Sequence, residues 1–390
     1  IYALMACNER GVRRLDEMMR EYSLATLDEL GAFIFGESER AMREAITALP
    51  EGTWHAAMRI DGYDHPIDLA ASLTIADGVI HVDFDGSSGV STYGINCPLC
   101  YTIAYTSFGV KCAVAPRIPN NAGSLAAIKV TAPENTIVNA PPPCAVVARA
   151  TIGHMLPDVV FGCLHQIMPD RVPAEGTSNL WNLRLAAGHG ITGSIGDQST
   201  PFTVVSFHSG GAGARPGLDG LSATPFPSGV RNVPVEATEA IVPLVIWRKD
   251  YRQDSGGAGE YRGGLGQVME VASRENAPFG IHASFERVAH PPRGRDGGHE
   301  GGAGQLRLRS GATLRAKGVQ VVPAEDRLIV EMPGGGGLGN PVDRRPEQVA
   351  ADVRAGLVSP EVAQRDYGVC VTDDYTVDVE KTRDLRAAMK

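Results

Sequence analysis

The segment that most constrains the fold is residues 254–266, which read DSGGAGEYRGGLG and contain six glycines. Glycine loses more backbone entropy on ordering than any other residue, so neither a helix nor an ordinary strand favours this composition. The segment therefore predicts a built loop in which the backbone takes positive φ or lies close to another part of the chain. A second run, GGGG at residues 334–337, either cradles an anion with its amides or lets two backbones pack closely.

The composition predicts an α+β fold that is rich in β-structure and glycine-rich loops, with helical segments at both ends. The chain has 390 residues, of which 46 are glycine and 26 are proline, and this favours short strands and irregular loops over long helices. Its formal net charge is −9 and its basic residues are not clustered, so we expect no nucleic-acid partner. No apolar run is long enough to span a membrane and no signal peptide is visible, so we expect no membrane association. Seven cysteines without regular spacing indicate reduced thiols and a cytoplasmic location.

Changes in periodicity divide the chain into four predicted parts. Residues 1–50 are a helical segment, 51–175 a mixed α+β domain, 176–340 a β-rich domain with glycine loops, and 341–390 a helical tail. The helical pattern starts at Ile1, so we expect this helix to continue an N-terminal region that is missing or that lies on another polypeptide.

Several familiar catalytic motifs are absent. The chain has no G-x-x-x-x-G-K-[ST] loop, which indicates that a partner binds any nucleotide. The spacing Cys97-x-x-Cys100 suits a redox or zinc site, but without a second such pair it favours two buried thiols. Asp83 and Asp85 flank Phe84. Such a pair can bind a metal or act as acid and base. We favour the structural alternative, in which the two residues end a strand and cap a turn.

A few polar residues stand where functional groups gather. His208 follows an apolar strand and precedes two glycines, a place typical of functional residues, although a structural histidine is the commoner case. Asn96 and Asn120 either close turns with their own side chains or present amides to a substrate, and the first interpretation is favoured. Glu236 and Glu239 are spaced to share a helix face, and we favour a structural ion-pair network for them.

Motifs in fixed order along nearly the whole chain resemble the hydantoinase B/5-oxoprolinase C-terminal family. The motifs that carry this resemblance are FGESE at 35–39, LPEGT at 49–53, VDFDGSS at 82–88, INCPL at 95–99, IPNNAG at 118–123, GGAGARP at 210–216, NVPVE at 232–236, the glycine segment at 254–266, PGGGGLGNP at 333–341 and RDYGV at 365–369.

The resemblance implies the B-type subunit of an ATP-dependent cyclic-amide hydrolase. In that family ATP and Mg²⁺ are bound by a hydantoinase A-type subunit, which phosphorylates the substrate carbonyl, and the B-type part helps to complete hydrolysis of the ring amide. The family's metal-binding Asp and His motifs lie in an N-terminal region that has no counterpart here, so we expect no metal ligand in this chain. A divalent metal would then belong to that region or to a polypeptide carrying it, and this chain alone would be catalytically incomplete.

On this basis the sequence predicts a substrate site from position and chemistry. We expect Arg262 to clamp an anion, with Asp254 and Glu236 orienting it, and His208 to face the substrate. The predicted substrate-binding residues are Asn96, Asn120, Gly210, Gly211, Gly256 and Gly257.

Two other functions fit the same resemblance. One is a subunit of an ATP-dependent ketone carboxylase of the acetone or acetophenone type, which would require bicarbonate. The other is a non-catalytic scaffold that stabilises an A-type partner.

Overall fold

The fold is α+β, as the sequence predicts. This computed structural model describes residues 1–188, 200–224 and 226–389. No helix in those ranges is long and apolar enough to cross a membrane.

Two long helices and a four-stranded sheet form the first half of the chain. The helices are α1 (Tyr2–Glu21) and α2 (Asp28–Thr47), and α1 buries none of its residues. Strands β1 (Gly52–Ile60), β2 (Ile67–Ala76) and β3 (Val79–Asp83) pair antiparallel, and β4 (Ile128–Thr131) adds to β3 in parallel. Alternation of apolar residues at 67–75 and 80–84 around the turn at 76–78 predicts a hairpin, and the antiparallel pairing of β2 with β3 confirms it.

Helices pack against this sheet and against one another. Helices α3 (Leu99–Val114) and α6 (Leu156–Leu164) contact the sheet, as does α2, whereas α4 (Ala122–Ala126) packs on α2 and α5 (Ala150–Gly153) packs on α3. The sequence predicts one helical stretch over residues 144–168, bent or broken at Pro157; in the structure α5 ends at Gly153 and α6 begins at Leu156, so the break comes just before Pro157, which lies in the first turn of α6. The core between sheet and helices draws its residues from 42–172.

The second half contains two antiparallel four-stranded sheets that face each other. In one sheet the strand order is β10 (Gln305–Leu308), β12 (Leu328–Glu331), β8 (Gln267–Ser273) and β7 (Leu244–Tyr251). In the other sheet the strand order is β11 (Lys317–Val322), β9 (Phe279–Ser284), β5 (Leu183–Ala187) and β6 (Phe202–Ser206). A short helix, α7 (Val235–Ile241), precedes β7. Both sheets contribute to one core with residues from 181–332, so they form a sandwich. The predicted domain division near residue 175 stays a prediction.

Glycine-rich segments outside these sheets join into a structure that we call the glycine bundle, made of residues 210–214, 255–266, 298–302 and 333–339. Its central segment, 334–337, exchanges backbone hydrogen bonds with every other segment, for example Gly257 N to Gly335 O at 2.8 Å and Gly334 N to Gly302 O at 3.0 Å. A Cβ on Gly335 would overlap the backbone of Ala212. None of residues 334–337 has a positive φ, so close approach of backbones explains these glycines.

The tail is helical, with α8 (Pro346–Arg354), α9 (Pro360–Tyr367) and α10 (Val379–Met389). Ser359 caps α9 by accepting a hydrogen bond from Val362 N, as the Ser-Pro-Glu motif predicts. Val349, Val353 and Tyr367 pack with Ala258 of the glycine bundle in a small third core. The tail is therefore attached directly to the bundle.

Candidate functional site

A cavity of about 300 Å³ lies where the first half of the chain meets the outer face of the sheet that contains β5 and β9. Its lining includes Tyr63, Tyr93, His154, Asn179 and Asn182. Clefts between structural units are common places for small-molecule sites, and this one is unusual in the number of its polar side chains without partners. We therefore take it as the candidate functional site.

A pair of aromatic rings and a tight turn form one wall. Tyr63 and Tyr93 stack with their ring centroids 3.9 Å apart. The turn at Gly94 and Ile95 is fixed by the fully buried Asn96, whose Oδ1 accepts from Ser91 N at 2.7 Å and whose Nδ2 donates to three backbone carbonyls. Asn96 therefore closes a turn, the favoured of its two interpretations, and shapes the wall from behind.

His154 stands at the end of α5 and forms the floor of the cavity. It is 5 % exposed and its ring packs against Tyr105, with the centroids 5.2 Å apart. Burial lowers the pKa of His154 to about 4, so the imidazole is neutral at physiological pH. Its Nδ1 has no hydrogen-bond partner in the part of the chain that the structure describes.

Two asparagines project from the segment that leads into β5. Asn179 is buried and donates from Nδ2 to Thr151 O at 3.4 Å, and Asn182 is half-buried. The side-chain oxygens of both are buried and have no donor among the described residues. A buried carbonyl oxygen without a donor costs about 1–3 kcal/mol, so a ligand with N–H groups would remove that cost.

The segment that carries these asparagines is held rigidly. Thr177 Oγ1 donates to Gly211 O of the glycine bundle at 3.0 Å. Trp181 is fully buried, stacks on Phe285 and donates from Nε1 to Glu286 O at 3.2 Å. These contacts fix the backbone on both sides of Asn179, so its unpaired oxygen has a defined position.

The residues predicted from the sequence lie elsewhere, and the structure does not gather them. His208 is 2 % exposed, inside the sandwich, where its Nε2 lies 2.6 Å from Ser206 Oγ. Burial, reinforced by the charge of Lys249, lowers the pKa of His208 to about 3. Asn120 is exposed, and its neighbour Asn121 caps α4.

The predicted trio of Arg262, Asp254 and Glu236 is also dispersed. Arg262 is buried beside the tail, with Nε 3.5 Å from Asp352 Oδ2. Asp254 accepts from Ser359 N at 2.7 Å at the start of α9, and Glu236 is exposed on α7. Within the described residues, Arg262 contacts neither of the two carboxylates expected to orient it.

The predicted glycines, Gly210, Gly211, Gly256 and Gly257, all lie in or beside the glycine bundle. The amides of Gly211 and Gly257 donate to Pro333 O and Gly335 O, at 3.0 Å and 2.8 Å. An anion nest requires free amides, and these two are occupied by backbone. Substrate binding by the four glycines stays a prediction.

The two carboxylates near Phe84 act locally. Asp83 accepts from Thr131 Oγ1 at 2.9 Å, and Asp85 accepts from Gly86 N at 3.0 Å. Of the predicted thiol pair, Cys97 is buried and Cys100 exposed. In the described ranges no three His, Cys, Asp or Glu side chains come together in a way that suits a metal ion.

The sequence predictions miss His154, Asn179 and Asn182. A signal for the asparagines is present, because the polar run TSN at 177–179 lies a few residues before the apolar strand β5. No local signal pairs that run with His154 or Tyr63, since packing of distant segments brings them together.

The fold combines a helix-packed sheet, an antiparallel sandwich and a glycine bundle, and comparison with known families identifies the class of protein to which it belongs. The Hydantoinase B/oxoprolinase family matches residues 1–341, and the chain belongs to this family. The B subunit of a D-/L-hydantoinase, so named in Pseudomonas sp. strain NS671, is 31 % identical over 407 residues, covering 98 % of this chain and 67 % of that protein. The beta subunit of the caprolactamase of Pseudomonas jessenii is 29 % identical, covering 97 % and 67 %.

Solved structures share the fold. The crystal structure of ATP-dependent caprolactamase from Pseudomonas jessenii matches with a TM-score of 0.82 and 24 % identity, covering 97 % of this chain and 67 % of that one. A nucleotide-free acetone carboxylase structure matches with a TM-score of 0.74 and 20 % identity, covering 90 % and 54 %. The chain thus spans about two thirds of the hydantoinase and caprolactamase subunits that it matches.

Proposed function

We propose that this chain is the B-type component of an ATP-dependent enzyme that hydrolyses cyclic amides, and that the cavity holding His154, Asn179 and Asn182 binds the ring. The observation that carries the proposal is the pair of unpaired asparagine oxygens in that cavity. A ring amide is held cis, so its N–H and its C=O point to the same side. Its N–H donates to an acceptor such as an asparagine oxygen, and its C=O accepts from a neighbouring donor.

The neutral state of His154 suits such an uncharged substrate. A neutral imidazole either donates to the ring carbonyl or accepts from a second ring N–H, without bringing a buried charge near the amide. The stacked rings of Tyr63 and Tyr93 cover the cavity wall and limit access of water. These residues therefore bind and orient the ring.

Activation of the amide is assigned to a partner, a hydantoinase A-type subunit. ATP with Mg²⁺ would supply a phosphoryl group to the amide oxygen; water then adds to the activated ring carbon, the ring C–N bond breaks to free the amine, and hydrolysis of the resulting acyl phosphate releases phosphate. This chain contains no P-loop, and its described residues gather no set of three metal ligands, so we place the nucleotide and Mg²⁺ on the partner. Relatives named as B and beta subunits support a multi-subunit enzyme.

Further elements of the assembly belong to the same proposal. A divalent metal of the family would be held by a region outside these residues, or by a polypeptide that carries that region. All seven cysteines are free thiols, which supports a cytoplasmic location.

The test is reconstitution with an A-type partner and measurement of ATP-dependent ring opening of hydantoin, 5-oxoproline and a lactam. We expect Asn182→Ala to lower kcat/KM about tenfold to a hundredfold, because the substrate N–H loses its acceptor. Asn8→Ala, on the exposed face of α1, is the matched control and should leave kcat/KM unchanged.

Other outcomes identify the rival functions. Ketone-dependent ATP use that requires bicarbonate would make the complex a carboxylase, although a simple ketone has no N–H for the asparagine oxygens. Full turnover by the Asn179→Ala/Asn182→Ala double variant in an intact complex would contradict ring binding here and favour a scaffold.

A further inference from the structure

Charge is distributed unevenly around the cavity that holds His154, Asn179 and Asn182. Besides the residues described above, its lining includes Arg184 and His282. None of the described residues that line it is an aspartate or a glutamate. An arginine is permanently charged, so a lining with an arginine and no carboxylate among its described residues gives the cavity a positive potential. Such a potential favours a ligand that carries an anionic group.

The alternation of strand β5 places Arg184 next to Asn182. Leu183 and Leu185 belong to the core of the sandwich, so Asn182 and Arg184 project from the opposite face of the sheet. Both of these polar residues line the cavity. Two residues of a strand span about 7 Å, a distance that an arginine side chain can bridge. A ligand that contacts Asn182 is therefore within reach of Arg184.

Strand β9 brings a second nitrogen-bearing side chain to the same place. It pairs antiparallel with β5 and sets Ala186 opposite Gly280. Continuing this register sets Arg184 opposite His282, on the same face of the sheet. His282 is half-buried and lines the cavity. Its ring can donate a hydrogen bond to an anion that Arg184 holds.

The charged and the neutral groups of the cavity differ in their exposure. Arg184 is exposed, Asn182 is half-buried, and His154 at the floor is buried and neutral. An exposed guanidinium keeps its hydration while the cavity is empty, so no buried charge is left without a partner. The cavity therefore suits a ligand whose uncharged ring enters first and whose anionic group stays near the solvent.

Resting on the ring binding proposed above, we propose that Arg184 selects cyclic amides that carry a carboxylate on the ring carbon next to the nitrogen. When the ring N–H donates to Asn182 Oδ1, a carboxylate on that carbon lies on the same side of the ring, towards Arg184. The guanidinium donates two parallel hydrogen bonds to the carboxylate, and His282 donates a further one. Uncharged lactams and hydantoins lack this group and gain nothing from Arg184.

A matched pair of substrates isolates the carboxylate. 5-Oxoproline and 2-pyrrolidinone share a five-membered lactam ring, and only 5-oxoproline has a carboxylate, which is ionised at pH 7.5. In the complex reconstituted with an A-type partner, we expect kcat/KM for 5-oxoproline to exceed that for 2-pyrrolidinone at least tenfold. Arg184→Gln should lower this ratio at least tenfold, and Arg184→Lys, which keeps the charge, should restore part of it.

The matched control is Arg248→Gln. Arg248 is also an exposed arginine on a strand, but it lies on β7 of the other sheet and does not line the cavity. This variant should leave the ratio unchanged. Circular dichroism should show that Arg184→Gln is folded, because the side chain that it removes is exposed.

Binding without turnover separates this inference from the proposed function. Calorimetric titration of the full chain with 5-oxoproline and with 2-pyrrolidinone requires neither ATP nor the A-type partner. We expect 5-oxoproline to bind at least tenfold more tightly, and Arg184→Gln to remove the difference. If the chain shows this preference but the complex opens neither ring, the proposed function fails and the role of Arg184 in binding stands.

Two results would overturn the role of Arg184 and leave the proposed function in place. One is hydrolysis of 2-pyrrolidinone by the complex with a kcat/KM equal to that for 5-oxoproline. The other is a preference for 5-oxoproline, in binding and in turnover, that persists unchanged in Arg184→Gln.

Discussion

Two histidines illustrate how the same residue type serves different purposes in this chain. His154 and His208 are both buried and both neutral, and each has an unpaired Nδ1 among the residues that the structure describes. His154 borders a cavity, so a ligand can reach its neighbourhood, whereas His208 is enclosed in the sandwich beside Ser206. Burial of the side chain alone therefore does not mark a functional histidine. A neighbouring cavity that a ligand can enter is also needed.

The enclosed His208 predicts sensitivity to acid. Its pKa is about 3 in the folded chain and 6.5 in the unfolded chain, so unfolding takes up a proton below pH 6.5. Its contribution to stability is complete above pH 6.5 and is lost as the pH falls towards 3. We expect His208→Gln to flatten the fall in unfolding free energy between pH 6.5 and 4.5 by up to about 1.4 kcal/mol per pH unit, measured by urea denaturation.

Comparison with the parent chain isolates this effect. The raised pKa of Asp158 stabilises the fold as the pH falls through 6. Because Asp158 titrates in both proteins, its effect cancels when the unfolding free energy of the variant is subtracted from that of the parent. An identical pH slope in parent and variant would contradict a neutral His208.

Residue roles could be predicted only where the partners are local. Asn96 closes a turn with Ser91 and Tyr93, neighbours that the sequence itself supplies, and that interpretation was available from the start. Asn179 and Asn182 acquire their surroundings from α5 and from a distant turn. No spacing rule brings those segments together.

At the scale of elements, hydrophobic periodicity predicts the helices and strands. Glycine content predicts the irregular loops but not how they pack. The alternation of apolar residues at 67–75 predicts a strand and the apolar run at 99–114 predicts a helix, and the structure has β2 and α3 there. The glycine segment at 254–266 was correctly expected to be an irregular built loop. Its packing against residues 334–337 depends on backbone hydrogen bonds between segments, which leave no side-chain pattern in the sequence.

The glycine bundle predicts a sharp contrast between glycines. A methyl group at Gly335 would overlap the backbone of Ala212, whereas a methyl group at Gly36, inside α2, meets nothing within 4 Å. We expect Gly335→Ala to lower the free energy of unfolding by about 3 kcal/mol or more, or to prevent folding. Gly36→Ala should raise it by up to about 1 kcal/mol, because alanine favours the helix.

Chemical denaturation followed by circular dichroism gives both values. A Gly335→Ala protein as stable as its parent would contradict the close backbone packing.

At the scale of the whole molecule, the tail and the glycine bundle are joined by a buried arginine. Arg344, with its side chain 4 % exposed, donates to Glu260 O of the bundle at 3.1 Å, to Asp219 at 2.7 Å and to Asp352 at 2.8 Å. The two carboxylates raise the pKa of Arg344 further above its ordinary value. The sequence predicted the tail as a helical segment but contained no sign of this connection across more than a hundred residues.

Loss of this arginine should loosen the tail. We expect Arg344→Met to destabilise the chain by about 3 kcal/mol, because Asp219 and Asp352 both lose charge-assisted hydrogen bonds and only Arg262, 3.5 Å away, still faces Asp352. Arg365→Met, which removes an exposed ion pair with Asp366, should cost less than about 1 kcal/mol.

Thermal unfolding with limited proteolysis mapped by mass spectrometry measures both. Equal effects of the two substitutions would show that the buried network does not hold the tail.

The glycine bundle also has a consequence for how the chain reaches its native state. Its segments are separated by tens of residues, and the central one bonds to all the others, so the full set of hydrogen bonds forms only when all the segments have come together. Contacts of high sequence separation are slow to form because the loss of loop entropy comes before any gain. We therefore expect the helices and hairpins to form before the bundle closes.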